Sequence, residues 1–128
     1  MQKKINWHKI ASSIGEIGFN ANGMHELEIE GRRICIAKSS NQRNETAEIK
    51  SDHLYACAAK CPHAGGIMST GYIDSNDNIV CPLHRYKFNL STGRNITGEG
   101  YFLKVYPVQV REDGIYIGIE ESRLFNWL

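Results

Sequence analysis

The 128-residue chain contains no run of eighteen apolar residues, so no segment reads as a membrane-spanning helix. It lacks a dominant charge. Fifteen Lys and Arg against fourteen Asp and Glu leave a formal net charge of +1, which gives no general attraction to nucleic acid or an anionic membrane. A helical stripe of useful length is missing, as are an internal repeat and a linker. The N-terminus, MQKKINWHKIASSIGEIGF, starts basic but has no continuous apolar stretch like that of a secretory signal, so the cytoplasm is the expected compartment. Without export, the glycosylation patterns at Asn44, Asn89 and Asn95 read as chance matches in polar turns. The length fits one domain, residues 1–128, with a core that needs no disulfide staples. An apolar fraction of 41% and a charged fraction of 23% are those of an ordinary globular protein.

What the chain does contain is short apolar alternation broken by turns. Met24 to Ile29 (MHELEI) and Arg33 to Ala37 (RICIA) predict a hairpin across Glu30-Gly31. Ser51 to Ala58 holds HLYACA, a buried strand leading into the segment around Cys61. GYI and NIVC flank a hairpin tip at Asp74 to Asp77, and Arg85 to Leu90 reads as another strand, closed by Ser91-Thr92-Gly93. VYPVQVRED and IYIGI form the last hairpin, turning at Asp113-Gly114. Lys38 to Asp52 is polar and reads as a flexible loop with a short strand near its end. Eight to ten short strands with this spacing predict an all-β fold, a small antiparallel barrel or sandwich, in which helix is minor.

The chemistry sits in two segments, Cys61-Pro62-His63-Ala64-Gly65-Gly66 and Cys81-Pro82-Leu83-His84, with seventeen residues between His63 and Cys81. Each supplies one soft thiolate and one imidazole within a tight turn. Pro62 and Pro82 fix a backbone angle beside each ligand, and Gly65 and Gly66 let the chain bend closely around what is bound. A structural zinc site usually puts both cysteines on one knuckle and both histidines on another. Here each loop offers one of each, which suits a two-metal centre with both thiolates on one metal and both imidazoles on the other. In a reducing compartment, the remaining thiols Cys35 and Cys57 read as core residues.

With these residues in view, the sequence resembles the Rieske family. CPHAGG and CPLH look like its two ligand boxes, and HLYACAAKCPH and IVCPLHRYKFNLSTG are similar to the strands and turn around them. YPVQVREDGIYIGI resembles its closing hairpin, and with weaker matches near Trp7 the resemblance covers nearly the whole chain. It implies a barrel with a cluster-binding part at about residues 57–100 and one 2Fe-2S cluster. Cys61 and Cys81 would bind one iron, and His63 and His84 the other, exposed iron. High-potential members carry an extra cysteine in each box, joined as a disulfide; the matching positions here, Gly66 and Leu83, cannot form it. Those members also donate hydroxyl hydrogen bonds after the second histidine. Phe88 cannot donate, and Tyr86 is expected to point into apolar packing. Arg85 stands where a glycine commonly follows the second histidine, and NITGEGYFL (Asn95 to Leu103) lacks the prolines of the loop that covers the cluster's third side, which Gly98 and Gly100 would replace with more mobility.

The resemblance implies a ferredoxin: a non-enzymatic carrier of one electron from a flavin-dependent reductase to an oxygenase or similar acceptor. His8, His25 and His53 are scattered singly and offer no second, mononuclear iron site. Partners would dock over His63 and His84, with Lys60, Arg85 and Lys87 as a basic rim. Oligomeric state is open between a monomer and a weak oligomer, and the apolar tail LFNWL (in Ser122 to Leu128) either packs back on the barrel or serves as a docking strip. Three other readings compete: a small subunit permanently bound in a larger oxidoreductase such as a nitrite reductase, a zinc-stabilised binding module, and a redox sensor. Fewer hydroxyl donors place the expected potential near the lower end of roughly −150 to +300 mV. In such a centre neither histidine loses a proton much below neutrality. The potential is therefore expected to stay nearly flat from about pH 6 to 8, and a steep slope in a redox titration over that window would reject the low-potential reading.

Overall fold

The computed structural model describes residues 4–40, 53–63 and 65–121. Ten strands lie among them: β1 (Ile5–Ala11), β2 (Met24–Ile29), β3 (Arg32–Lys38), β4 (Leu54–Ala58), β5 (Tyr72–Ile73), β6 (Asn78–Val80), β7 (Lys87–Asn89), β8 (Val105–Tyr106), β9 (Val108–Arg111) and β10 (Gly114–Glu120). They form three antiparallel sheets, ordered β1-β10-β9, β2-β3-β4-β8 and β5-β6-β7. Among the described residues helix occurs as 3-10 turns at Ile14–Glu16 and Met68–Thr70 and as single 3-10 residues at Ser40 and His53, and no described helix is long and apolar enough to cross a membrane.

The middle sheet explains why its strands read as continuous apolar runs. Along β3, Ile34 and Ile36 face one core while Cys35 and Ala37 face another, and all four are buried. β4 divides the same way, with Leu54 and Ala56 on the first side and Cys57 on the second. A strand buried on both faces has no polar side to alternate with. On the first side, Ile115, Ile117 and Ile119 of β10 complete the barrel core. On the second, Ile73, Ile79 and Phe88 bring in the small sheet that bears the ligand segments.

The β2–β3 hairpin forms as expected. Ile29 pairs with Arg32, and Glu30 (φ 51°) and Gly31 (φ 79°) make the left-handed two-residue turn whose twist suits a hairpin. The last hairpin departs from the sequence reading at two points. Pro107 divides VYPVQVRED, so that Val105 pairs with Cys57 of β4 while Val108 pairs with Ile117 of β10; the chain changes sheets at the residue that has no amide to donate. The turn residues are Glu112 and Asp113, because Gly114 already pairs with Arg111. Gly114 serves a close approach, since a Cβ there would lie 2.4 Å from the Ala11 carbonyl. β1 has no clean alternation in sequence and is placed by its pairing with β10, from Ile5 opposite Glu120 to Ala11 opposite Ile115. The expected strand near the end of the Lys38 to Asp52 loop, and the tail from Ser122, lie outside the described residues.

One carboxylate fastens the small sheet to the middle one. Asp77, at the β5–β6 tip with φ 58°, accepts from Ser39 Oγ (2.7 Å), Ser40 N (2.8 Å), Ser40 Oγ (2.7 Å) and Tyr55 Oη (3.1 Å). Partial burial pushes its pKa up, but these donors outweigh burial and hold the carboxyl below its ordinary value. A lowered folded-state pKa stabilises the fold above the unfolded value of about 3.9, and that stability is lost as pH falls through the folded pKa. Asp77→Asn keeps a side chain that tolerates the left-handed backbone and removes the charge. It is expected to cost about 1–3 kcal/mol at pH 7 and to flatten the fall in melting temperature below about pH 4. An unchanged acid profile in thermal melts would show that Asp77 is not the fastening point.

Candidate metal centre

The two ligand segments close into loops of the same construction. In the first, Cys61 N donates to Gly66 O (2.8 Å) and Gly65 N to Cys61 O (3.0 Å); in the second, Cys81 N donates to Tyr86 O (2.9 Å) and Arg85 N to Cys81 O (2.9 Å). Each loop turns by putting its fifth residue in the left-handed region, Gly65 at φ 71° and Arg85 at φ 59°. The first loop follows β4 and is pinched at its base by a bridge between Lys60 and Ile67; the second joins β6 to β7. The repeated turn sets both cysteines in one core cluster and brings the two histidines together.

The donors separate by depth. Cys61 and Cys81 are 2% and 0% exposed, inside the same apolar core as Ile79 and Phe88. His63 is half-buried and His84 exposed. The imidazoles converge, with Nδ1 of His84 3.3 Å from Nδ1 of His63. Two nitrogens bound to one tetrahedral metal at about 2.0–2.1 Å stand roughly 3.3–3.4 Å apart, so this pair fits shared coordination. Among the described residues no three His, Cys, Asp or Glu side chains gather closely enough to hold one ion. The imidazoles form a close pair while the two cysteines lie buried, a sorting by depth that a mixed Cys/His two-iron cluster could use.

Gly66 and Leu83, the positions at issue for a clasping disulfide, do face each other. A Cβ on Gly66 would come 3.1 Å from Leu83 Cγ and 2.9 Å from Cys81 Sγ, so glycine is what lets the first loop rest against the second ligand. Tyr86 meets the expected apolar packing and adds a contact that was not expected. Although it also touches the core, its ring lies on the imidazoles, 4.4 Å from His63 and 5.8 Å from His84 between centroids. Desolvation, with Glu99 next, pushes its hydroxyl above the ordinary value. Sequence reasoning also missed Tyr101, whose ring stands 5.1 Å from His63. Its segment was expected to wall the site, but no spacing rule singled out the tyrosine.

The basic rim is smaller than expected. Lys60 and Arg85 are exposed, whereas Lys87 Nζ sits 3.3 Å from Asp74 Oδ2, which offsets its charge. The other candidates stand apart. Cys35 and Cys57 are opposed across β3 and β4, fully buried, and the hydrogen bond with Cys35, followed by burial, pushes the Cys57 thiol up. They are core thiols, as expected. His8 approaches Glu30 (3.5 Å) and His25 Nδ1 donates to Gly18 O (3.0 Å), while His53 lies just before β4.

The family model described as "Rieske [2Fe-2S] domain" matches residues 6–107. The 3-phenylpropionate/cinnamic acid dioxygenase ferredoxin subunit of Photorhabdus laumondii is 36% identical over 71 residues, which are 55% of this chain and 68% of that protein. Among solved structures, the putative NADH-dependent nitrite reductase small subunit of Mycobacterium tuberculosis superposes with a TM-score of 0.73 at 14% identity, over 93% of this chain and 99% of that one. A chain from the complex of reduced oxygenase and oxidized ferredoxin in carbazole 1,9a-dioxygenase gives 0.67 at 22% identity, over 91% and 95%.

The matched loops isolate the strain at Arg85. A non-glycine residue in the left-handed region costs about 1–2 kcal/mol. Arg85→Gly is therefore expected to raise stability by about 1 kcal/mol, and Gly65→Ala, where an added Cβ meets nothing within 4 Å, to lower it by a similar amount. Chemical denaturation of both variants checks this; a destabilised Arg85→Gly would mean that the arginine side chain holds the loop.

Proposed function

This chain belongs to the Rieske [2Fe-2S] domain family, and from that premise we propose that it is a low-potential ferredoxin holding one 2Fe-2S cluster on Cys61, His63, Cys81 and His84. Residues 1–128 act as one domain, with the cluster-binding part at about 57–100. The protein takes one electron from a flavin-dependent reductase and delivers it to an oxygenase, and itself makes and breaks no substrate bond. The observation that carries this reading is the pair of imidazole nitrogens 3.3 Å apart above two buried cysteines.

When bound, the cluster supplies one-electron oxidation and reduction. The chain's own residues do the rest. Cys61 and Cys81 sit where water does not reach, so their thiolates are stable only with a cation beside them, and that favours retention. His84 reaches the surface, so a redox partner can come close to the ligand set without opening the fold. Phe88 is fully buried and brings no hydroxyl, and the Tyr86 ring is engaged by His63, which supports a potential at the low end of the family's range. Exposed Lys60 and Arg85 favour an acidic partner face and act on association rate more than on affinity. The ferredoxin-subunit relative supports an oxygenase as acceptor, and the buried thiols Cys35 and Cys57 suit the reducing cytoplasm.

Visible and electron paramagnetic resonance spectra of the purified protein, oxidised and then dithionite-reduced, test the reading. The expected result is a red-brown oxidised sample and a rhombic reduced signal of low average g, both lost in Cys81→Ser and His84→Ala. A colourless protein that takes up only zinc would overturn it and leave a metal-stapled β domain.

A further inference from the structure

The two histidines are not equivalent. Tyr86 lies against His63 at 4.4 Å and Tyr101 at 5.1 Å, and the two tyrosines are themselves stacked, 6.2 Å apart at 23°. His63 thus has aromatic rings on it from β7's approach and from a separate loop, whereas His84 meets only Tyr86 and the edge of His63. The exposures follow: His63 is half-buried, His84 exposed.

Tyr101 is delivered by a braced loop. Gly98 (φ 87°) and Gly100 (φ 85°) provide its two left-handed bends. Asn95 stitches them: its Oδ1 accepts from Glu99 N (2.5 Å) and Gly100 N (3.0 Å), and its Nδ2 lies 3.1 Å from Lys87 O and 3.0 Å from Glu99 Oε1. Bridges from Asn95 to Phe88 and from Phe102 to Arg94 fix both ends of the loop to β7 and to the turn after it. The Asn95 amide is fully employed, and the loop leads to Tyr101, whose ring is inclined at 58° to that of His63 with 40% of the residue in water.

We propose that Tyr101, backed by Tyr86, is a positioning residue: it clamps the His63 imidazole in its ligating orientation and keeps water from that side, leaving His84 as the open histidine. The inference rests on the ligand assignment proposed above. An imidazole at a surface leaves a metal by turning about its side-chain bonds while water or a proton takes its place. Two rings inclined against it, at 41° and 58°, hinder both the turning and the approach of water. Groups that orient metal-bound histidines are worth roughly 10–100-fold in metal affinity.

The test uses intact, cluster-loaded protein. Its two readouts are the rate at which visible absorbance is lost to excess EDTA, and the hyperfine couplings of the two ligating nitrogens in pulsed electron paramagnetic resonance of the reduced form. Tyr101→Ala is expected to lose the cluster roughly tenfold faster and to shift one nitrogen coupling while leaving the other unchanged, and Tyr101→Phe to restore both. Tyr72→Ala, which removes an exposed tyrosine on β5, is expected to behave as the wild type. Tyr101→Ala with wild-type loss and couplings would overturn the clamp, as would Tyr101→Phe behaving like Tyr101→Ala or Tyr72→Ala losing the cluster as fast. A wild-type protein without the rhombic signal fails at the first step, removing the ligand assignment and the clamp with it.

Discussion

Burial of both faces of the middle sheet is the constraint from which the rest of the molecule follows. With Ile34, Ile36, Leu54 and Ala56 turned one way and Cys35, Ala37 and Cys57 the other, β3 and β4 must be covered twice. The hairpin of β9 and β10, with β1 at its edge, covers the first face, and the small β5-β6-β7 sheet covers the second. That second cover is too small to stand alone: its strands are two or three residues long, below what an isolated sheet needs. It is held by apolar contact beneath and by Asp77 at one end, and the Lys87–Asp74 pair ties its own outer strands together. A site built on it inherits the rigidity of the wall behind.

On that platform, chemistry is sorted by depth with no added device. The same five-residue turn, used after β4 and after β6, points a cysteine inward and a histidine outward each time. Inward, the surroundings are apolar, and a thiolate is tolerated only with a compensating cation. Outward, an imidazole can be wet and still coordinate. The two loops differ where their fifth residues differ. Gly65 adopts φ 71° without cost, while Arg85 holds φ 59° against its own preference and in return sets a cation beside the exposed histidine. Strain at a site persists when the surroundings over-determine it, and here the Arg85 N to Cys81 O hydrogen bond and the flanking strands do so.

Much of this was legible in the residues. The Glu30-Gly31 hairpin and the Asp74 to Asp77 tip follow from local turn chemistry, and of the proposed donors His63 and His84 are seen to converge. Gly66 and Leu83 were matched to the disulfide positions only through the family resemblance, and a Cβ on Gly66 would come within 3.1 Å of Leu83 Cγ. What was not legible depends on distant partners. β1 (INWHKIA) has no alternation to betray it, because its residues are mostly half-exposed and its place is set by β10. Pro107 looked like part of one long strand; only the competing edges of β4 and β10 decide that the chain divides there. Gly114 read as a turn residue, since nothing local announces that Ala11 will press on it. The apolar packing of Tyr86 was legible, but its contact with His63, twenty-three positions away in sequence, was not.

The same dependence on distance gives the centre its asymmetry. The two loops share one hydrogen-bonding pattern, and that pattern alone would leave both imidazoles equally exposed. The chain breaks that symmetry with a third segment that bears no ligand. Asn95 binds the loop of Gly98 and Gly100 to the backbone of Lys87, and Tyr101 at its end meets His63 and not His84. A carrier has to hold its cluster firmly and still offer it to a partner, and one ligand cannot serve both needs well. Covering one imidazole while opening the other lets retention and access be set by different residues. Substitutions in the Asn95–Tyr101 loop can then alter how tightly the centre is kept, while those at Leu83 and Arg85 alter what it meets.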